Sequence, residues 1–195
     1  MTYNFLDIQK KLESTMDSYR FQHTLGVMIT CANLAMAHGI EDYEKAQIAG
    51  LLHDCAKHIP PAKQLELCLA YHLPITETEK QAPYLLHAKL GAYLAKVEYG
   101  ISDEEILHSI RYHTTGTKAM SDMDKILYIA DYIEPSRTKA MRLPYIRKLA
   151  FYSLDLCMYE ILKDSIFYLN QHAKIIDSET QKAFDYYEQL INTVN

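Results

Sequence analysis

The chain has no tryptophan, no Cys-x-x-Cys pair, and only six glycines and six prolines among 195 residues. Each scarcity excludes something. The four cysteines, Cys31, Cys55, Cys68 and Cys157, are too scattered for a zinc knuckle or a disulfide scaffold and are expected to be reduced core thiols. The net charge is −5 and no basic run interrupts it, so a surface for nucleic-acid polymers is not expected. No apolar run is long enough to span a bilayer, and residues 1–7 lack the basic-then-apolar order of a signal peptide. A cytoplasmic protein without a membrane partner is expected.

What remains is a chain that is 49% hydrophobic, enough to build the core of one domain. Helical periodicity runs almost throughout, and few glycines or prolines break it. The pattern predicts helices over 5–17, 20–37, 42–57, 62–71, 84–99, 102–113, 122–134, 154–171 and 179–191, with further helical character after 145 and a connecting region over 74–83 that has room for a helical turn. Ser102 with Glu105 three residues on is read as a capping box. No strand signal competes. The fold class is therefore all-α, one domain over 1–195, with a core over about 19–142 and C-terminal helices over about 145–192. Those last helices suit either a cover for the core or a homodimer contact. Sixteen tyrosines are present, and pairs such as Tyr128 and Tyr132 recur at helical spacing. Most suit core-edge packing, and one or two could stack on a base.

Polar residues in apolar surroundings carry the chemistry. His53-Asp54 follows Ile48-Ala49-Gly50-Leu51-Leu52, where an unpaired carboxylate would be costly to bury. Imidazole beside carboxylate suits zinc, iron or manganese. His23, His87, His113 and Asp131 each lie on a different predicted helix, and a lone histidine of this kind is more often structural than a ligand. Six together, in the order His, His-Asp, His, His, Asp, point to a metal centre. His38, His58, His72 and His172 sit beside loops and read as surface residues, while His108 points away from His113.

The strings Arg20-x-x-His23-x-x-Gly26, His53-Asp54-x-Ala56-Lys57, His87-x-x-x-Gly91, His113-Thr114-Thr115-Gly116 and Ala130-Asp131-x-x-Glu134-Pro135-x-Arg137 resemble the HD-domain metal-dependent phosphohydrolases. Within them, they resemble the bacterial YqeK-like symmetrical diadenosine-tetraphosphate hydrolases. The resemblance implies an HD-domain helical bundle with a di-metal centre, most simply di-iron. His23, His53, Asp54 and Asp131 would hold one ion. Asp54, His87 and His113 would hold the other, with Asp54 bridging. Ligand chemistry alone suits zinc or manganese equally.

The implied activity is a phosphoanhydride hydrolase, a symmetrical bis(5'-nucleosyl)-tetraphosphatase that turns diadenosine tetraphosphate into two ADP. A hydroxide between the ions would attack an inner phosphorus. Lys57, four residues after His53, is read as sharing its helical face and neutralising the phosphate under attack. The Thr114-Thr115-Gly116 backbone suits a phosphate cradle and equally a plain helix stop. Arg137, and more weakly Arg20, are candidate phosphate clamps. Glu134 suits either a partner that orients a ligand or an exposed helix-end acid. The partner is then a small dinucleoside polyphosphate. Rival expectations are another HD-domain nucleotidase or phosphodiesterase using the same centre, and a nucleotide sensor that binds without turnover.

Overall fold

A computed structural model describes residues 3–194. Eleven α-helices are found among them and no strand: α1 (Phe5–Thr15), α2 (Ser18–Ala37), α3 (Tyr43–Leu52), α4 (Pro61–Ala70), α5 (Glu77–Gln81), α6 (Leu86–Glu98), α7 (Glu104–Tyr112), α8 (Asp122–Ile133), α9 (Leu143–Ala150), α10 (Leu154–Gln171) and α11 (Ser178–Val194). None is long and apolar enough to cross a membrane. The all-α expectation holds, and most predicted helices match within a few residues.

The centre of the bundle is α2 packed on α3, with α8 across both. Gly50 permits this: a Cβ there would lie 2.9 Å from the Cα of Met28, so a larger residue would force the two backbones apart. Val27, Cys31 and Leu34 of α2, Ile48, Leu51 and Leu52 of α3, and Ile126, Leu127 and Ile129 of α8 are buried there. All four cysteines are buried free thiols, as expected. The C-terminal helices close the core: α10 packs on α8, α9 and α11, burying Cys157, Met158, Ile161 and Leu162, and α11 adds Ala183 and Tyr187.

Two predicted boundaries are wrong for instructive reasons. The helix expected over 42–57 ends at Leu52. His53 donates its Nδ1–H to the carbonyl of Gly50 at 2.7 Å, and the backbone then tightens into i→i+3 turns, with Cys55 bonded to Leu52 and Lys57 to Asp54. The helix expected to open on Ser102 is capped by Asp103 instead, whose Oδ1 accepts from the backbone of Glu105 and Ile106. The 74–83 connection holds a short helix with its own capping box, Thr76 with Glu79. Of the histidines read as surface residues, His58, His72 and His172 are exposed, whereas His38 is half-buried and hydrogen-bonds the carbonyl of Ala150 at 2.7 Å. His108 faces Asp124 instead of His113.

Candidate metal centre

Five different segments bring six donor side chains to one place. His23 comes from the second turn of α2, and His53 and Asp54 from the tight turn after α3. His87 starts α6, His113 ends α7, and Asp131 lies in the last turn of α8. The imidazole rings form a chain edge to face, with centroids 5.4 Å apart for His23 and His53, 5.0 Å for His53 and His113, and 5.1 Å for His87 and His113. All four histidines and Asp54 are buried; Asp131 is partly exposed.

Every histidine has its Nδ1 engaged away from the centre. His53, His87 and His113 donate it to the carbonyls of Gly50, Tyr84 and Ile110, each three residues earlier. His23 donates to Glu134 Oε1 at 2.9 Å. In the neutral tautomer this leaves four bare Nε2 lone pairs turned inward. His87 Nε2 and His113 Nε2 are 3.2 Å apart, and each lies 3.1 Å from the hydroxyl of Thr114. That hydroxyl can donate to only one of them, so two acceptors face each other across a gap that suits a cation.

Asp54 lies between the two histidine groups. Its Oδ2 is 3.5 Å from His53 Nε2, while its Oδ1 is 3.4 Å from His87 Nε2 and 3.5 Å from His113 Nε2. Asp131 Oδ1 is 3.1 Å from His23 Nε2 and 3.9 Å from His53 Nε2. The ligand atoms of His23, His53 and Asp131 lie within 4.8 Å of one another, as do those of His53, Asp54 and His113. The two groups overlap at His53, closer than the four-plus-three division that the resemblance implies. His23 Nε2, His53 Nε2 and Asp54 Oδ1 are buried and make no well-formed hydrogen bond, although Asp131 Oδ1 and Lys57 Nζ approach His23 Nε2 and Asp54 Oδ1 to 3.1 Å. Buried polar atoms left so are costly, and a cation would satisfy all three. Four imidazoles and two carboxylates suit a divalent or trivalent ion. The residues fit the group that the sequence implies.

Electrostatics point the same way. Burial alone would raise Asp54, but the charges of His53 and Lys57 and the approach of His113 hold its carboxyl well below the usual range. Burial likewise opposes the ionised form of Asp131, and His23, His53 and Arg137 overcome it. Burial, with the Lys57 ammonium and His113 close by, pushes His87 down to about 3, and burial also lowers His113. Burial also opposes the charged form of His53, but Asp54 and Asp131 outweigh it and raise His53, so a cation there would displace a proton. The ionised carboxylates and the lowered His87 and His113 already have the states in which such groups ligate.

The surrounding residues bear on several expectations. Lys57 pairs with Asp54 Oδ1 at 3.1 Å through the turn, three residues on, and not through a shared helical face with His53. Arg137 donates Nη2 to Asp131 Oδ1 at 2.6 Å and Nε to the Asp131 carbonyl, so it first orients a candidate ligand. Arg20 turns toward Asp17, 3.5 Å away, and does not line the cavity described below. Gly116 has its N–H taken by the carbonyl of Tyr112 at 2.8 Å, so it has none to offer a phosphate; Thr114 faces the centre with its hydroxyl. Thr115 bonds the Gly116 carbonyl.

Glu134 is buried and not an exposed helix end. Its carboxylate takes His23 Nδ1–H and both the N–H and hydroxyl of Ser136. Gly26, one turn after His23, makes room for it, because a Cβ there would lie 2.6 Å from Glu134 Oε2. Arg147 braces the same turn through the carbonyls of Ile133, Glu134 and Arg137. Glu134→Ala is expected to weaken metal binding by about 10- to 100-fold, as loss of such a support does. Metal titration of the variant checks this, and unchanged affinity would show that His23 is oriented without Glu134.

Two residues of the centre, His113 and Asp131, line a cavity of about 630 Å³, within the range of small-molecule sites. Lys57, His113, Thr114, Asp131 and Arg137 line its inner end. Its outer wall comes from Tyr128 and Tyr132 of α8, the 138–141 segment, and Asp164, Ser165 and Tyr168 of α10. Of these, sequence reading singled out only the Tyr128 and Tyr132 pair, and as packing. Ser136, Asp164 and Tyr168 were missed. A polar residue at helical spacing carries no mark of facing a distant helix.

The HD domain family matches residues 20–136. The chain is 37% identical over 158 residues to "Bis(5'-nucleosyl)-tetraphosphatase, symmetrical" of Bacillus subtilis, covering 81% of this chain and 83% of that one. It is 36% identical over 170 residues to the protein of the same description from Staphylococcus aureus, covering 86% of each. A crystal structure from Clostridium acetobutylicum, described as a predicted HD superfamily hydrolase involved in NAD metabolism, superposes with a TM-score of 0.92 at 36% identity, over 97% of this chain and 99% of that one.

Proposed function

Because the chain belongs to the HD domain family, and within it to the symmetrical bis(5'-nucleosyl)-tetraphosphatases, we propose that it is a metal-dependent hydrolase that converts diadenosine tetraphosphate and water into two ADP. The observation that supports the reading most is the cluster of inward-facing donors, two of which, His113 and Asp131, line a cavity that also carries Lys57 and Arg137. His23, His53, Asp54 and Asp131 would hold one ion, and Asp54, His87 and His113 the other, with iron the proposed metal and zinc or manganese the alternatives. Bound ions supply positive charge against phosphate oxygens and acidify the attacking water.

The chain's own residues do the rest. Asp54 presents one oxygen to each histidine group, so its placement sets the spacing of the two positions. Lys57, held at the rim of the centre by Asp54, adds a positive charge that lines the cavity, where it would stabilise charge developing on a phosphate. Arg137 holds Asp131 in place, and its partly exposed guanidinium extends the positive face. Thr114 offers a hydroxyl donor at the inner end. The four imidazoles bring donors without added negative charge, which a tetraphosphate would resist. A binder without turnover has no need of so many open donor atoms.

The site of cleavage tests the reading. Attack at an inner phosphorus yields ADP as the only nucleotide product from diadenosine tetraphosphate. In oxygen-18 water, one of the two ADP molecules from each turnover should carry the label on its β-phosphate. Chromatography with mass spectrometry reads both. ATP and AMP in equal amounts would instead mean attack at an outer phosphorus, and the symmetrical assignment would be wrong.

A further inference from the structure

We propose that the outer end of the cavity is a nucleoside site, built by α8 and α10, that holds one base of the dinucleotide between aromatic side chains and an arginine-paired acid. This rests on the hydrolase reading above.

The cavity has two chemically different ends. The inner end is cationic and rich in metal donors, as a polyphosphate requires. The outer end carries Tyr132, Asp164, Ser165 and Tyr168. Asp164 and Tyr168 are one turn apart on α10, hence on one face, and that face meets α8 where Tyr132 lies. Tyr168 is 45% exposed and Tyr132 half-buried, and both line the cavity, unlike the fully buried Tyr187. The His172 ring already packs on Tyr168, centroids 4.1 Å apart, and Lys174 Nζ lies 5.2 Å from its centroid, so a base would stack on what these two leave open or displace them. An aromatic ring bordering a cavity is a stacking surface for any base.

Asp164 decides the polarity. Its side chain is buried, and an ionised acid facing the same cavity as a tetraphosphate would repel it. Arg142 offsets part of that repulsion by donating Nε to Oδ2 at 3.1 Å and Nη2 to Oδ1 at 2.7 Å, although it shares its charge with Glu160. Arg142 does so from a left-handed backbone conformation (φ 50°), unfavourable for a residue with a side chain, and a second contact to Glu160 helps to hold it. The paired carboxylate keeps lone pairs free to accept from the N–H groups of an amine-bearing base. Asp164 and Tyr168 both lie beyond residue 136, where the HD domain match ends, so the C-terminal helices add a base-reading wall to a phosphate-handling core. The two ends differ, so the two identical halves of the substrate are bound differently.

Steady-state kinetics of the metal-loaded protein with diadenosine tetraphosphate, and calorimetric binding of ADP and of inorganic tripolyphosphate, test this. Tyr168→Ala should raise KM about tenfold or more and weaken ADP to a similar degree, with kcat within about twofold. Tyr168→Phe should restore both. Tripolyphosphate, which has no base, should bind all three proteins equally. Tyr132→Leu, on the facing helix, should show the same split. Unchanged KM and ADP affinity in Tyr168→Ala would overturn the proposal, and so would a loss shared equally by tripolyphosphate. A wild-type protein that binds ADP in this pattern yet turns over no dinucleoside tetraphosphate would overturn the hydrolase reading and leave the base site standing.

Discussion

Asp54→Ala is expected to remove both metal ions together and to lower kcat by about 10³-fold or more. Loss of one well-placed electrostatic stabiliser typically costs about 10²- to 10³-fold in rate, and Asp54 serves two positions. Its Oδ2 faces His53 while its Oδ1 faces His87 and His113, so its two oxygens link the histidine groups. The substitution also frees Lys57 and leaves His53 without its nearest carboxylate. Elemental analysis should therefore fall from about two ions per chain toward none. Folding gives a second readout, since a metal that binds only the native state stabilises it by about 2.7 kcal/mol at one hundred times its Kd. Added metal should raise the melting temperature of the wild type and leave that of Asp54→Ala nearly unmoved. Retention of two ions by the variant would end the bridging assignment.

His87→Ala should separate the two positions. His87 contributes to the histidine pair on the Oδ1 side of Asp54 and makes no contact with Asp131 or His23 among the described residues. Without it, that side keeps one imidazole, His113, and the shared carboxylate, too few donors to hold an ion well. One ion per chain should remain, held by His23, His53, Asp54 and Asp131, and kcat should fall by about 10²- to 10³-fold. Removing His87 should also relieve the clash of facing lone pairs with His113, so the metal-free variant should melt no lower than metal-free wild type. Full activity with two ions would mean that His87 is not a ligand. Loss of both ions would mean that the positions fill only as a pair.

Much of this protein is legible in its sequence because the relevant signals are local. Helical periodicity, the scarcity of glycine and proline, and scattered cysteines determine an all-α core with reduced thiols. Placing His53-Asp54 after an apolar run marks a buried acid that needs a partner, and the ordered histidines supply candidates for it. Even Gly26 is read correctly as part of the His23 string, although its reason, room for the Glu134 carboxylate, appears only in three dimensions. The errors arise where a side chain competes with the backbone. His53 takes the Gly50 carbonyl and ends α3 early, which moves Lys57 from a helical face into a turn. Asp103 outcompetes Ser102 as the cap of α7. The N–H of Gly116 is already used by Tyr112. Tertiary structure alone decides which oxygen of Asp54 faces which histidines, that Arg137 first holds Asp131, and that Asp164 enters the cavity as a paired acid. Those outcomes depend on packing helices that lie far apart in sequence: the turn after α3 against α6 and α7, and α8 against α2 and α10. Each helix's periodicity shows only that it has a buried face, and the partner of that face is set by the shape of the assembled core.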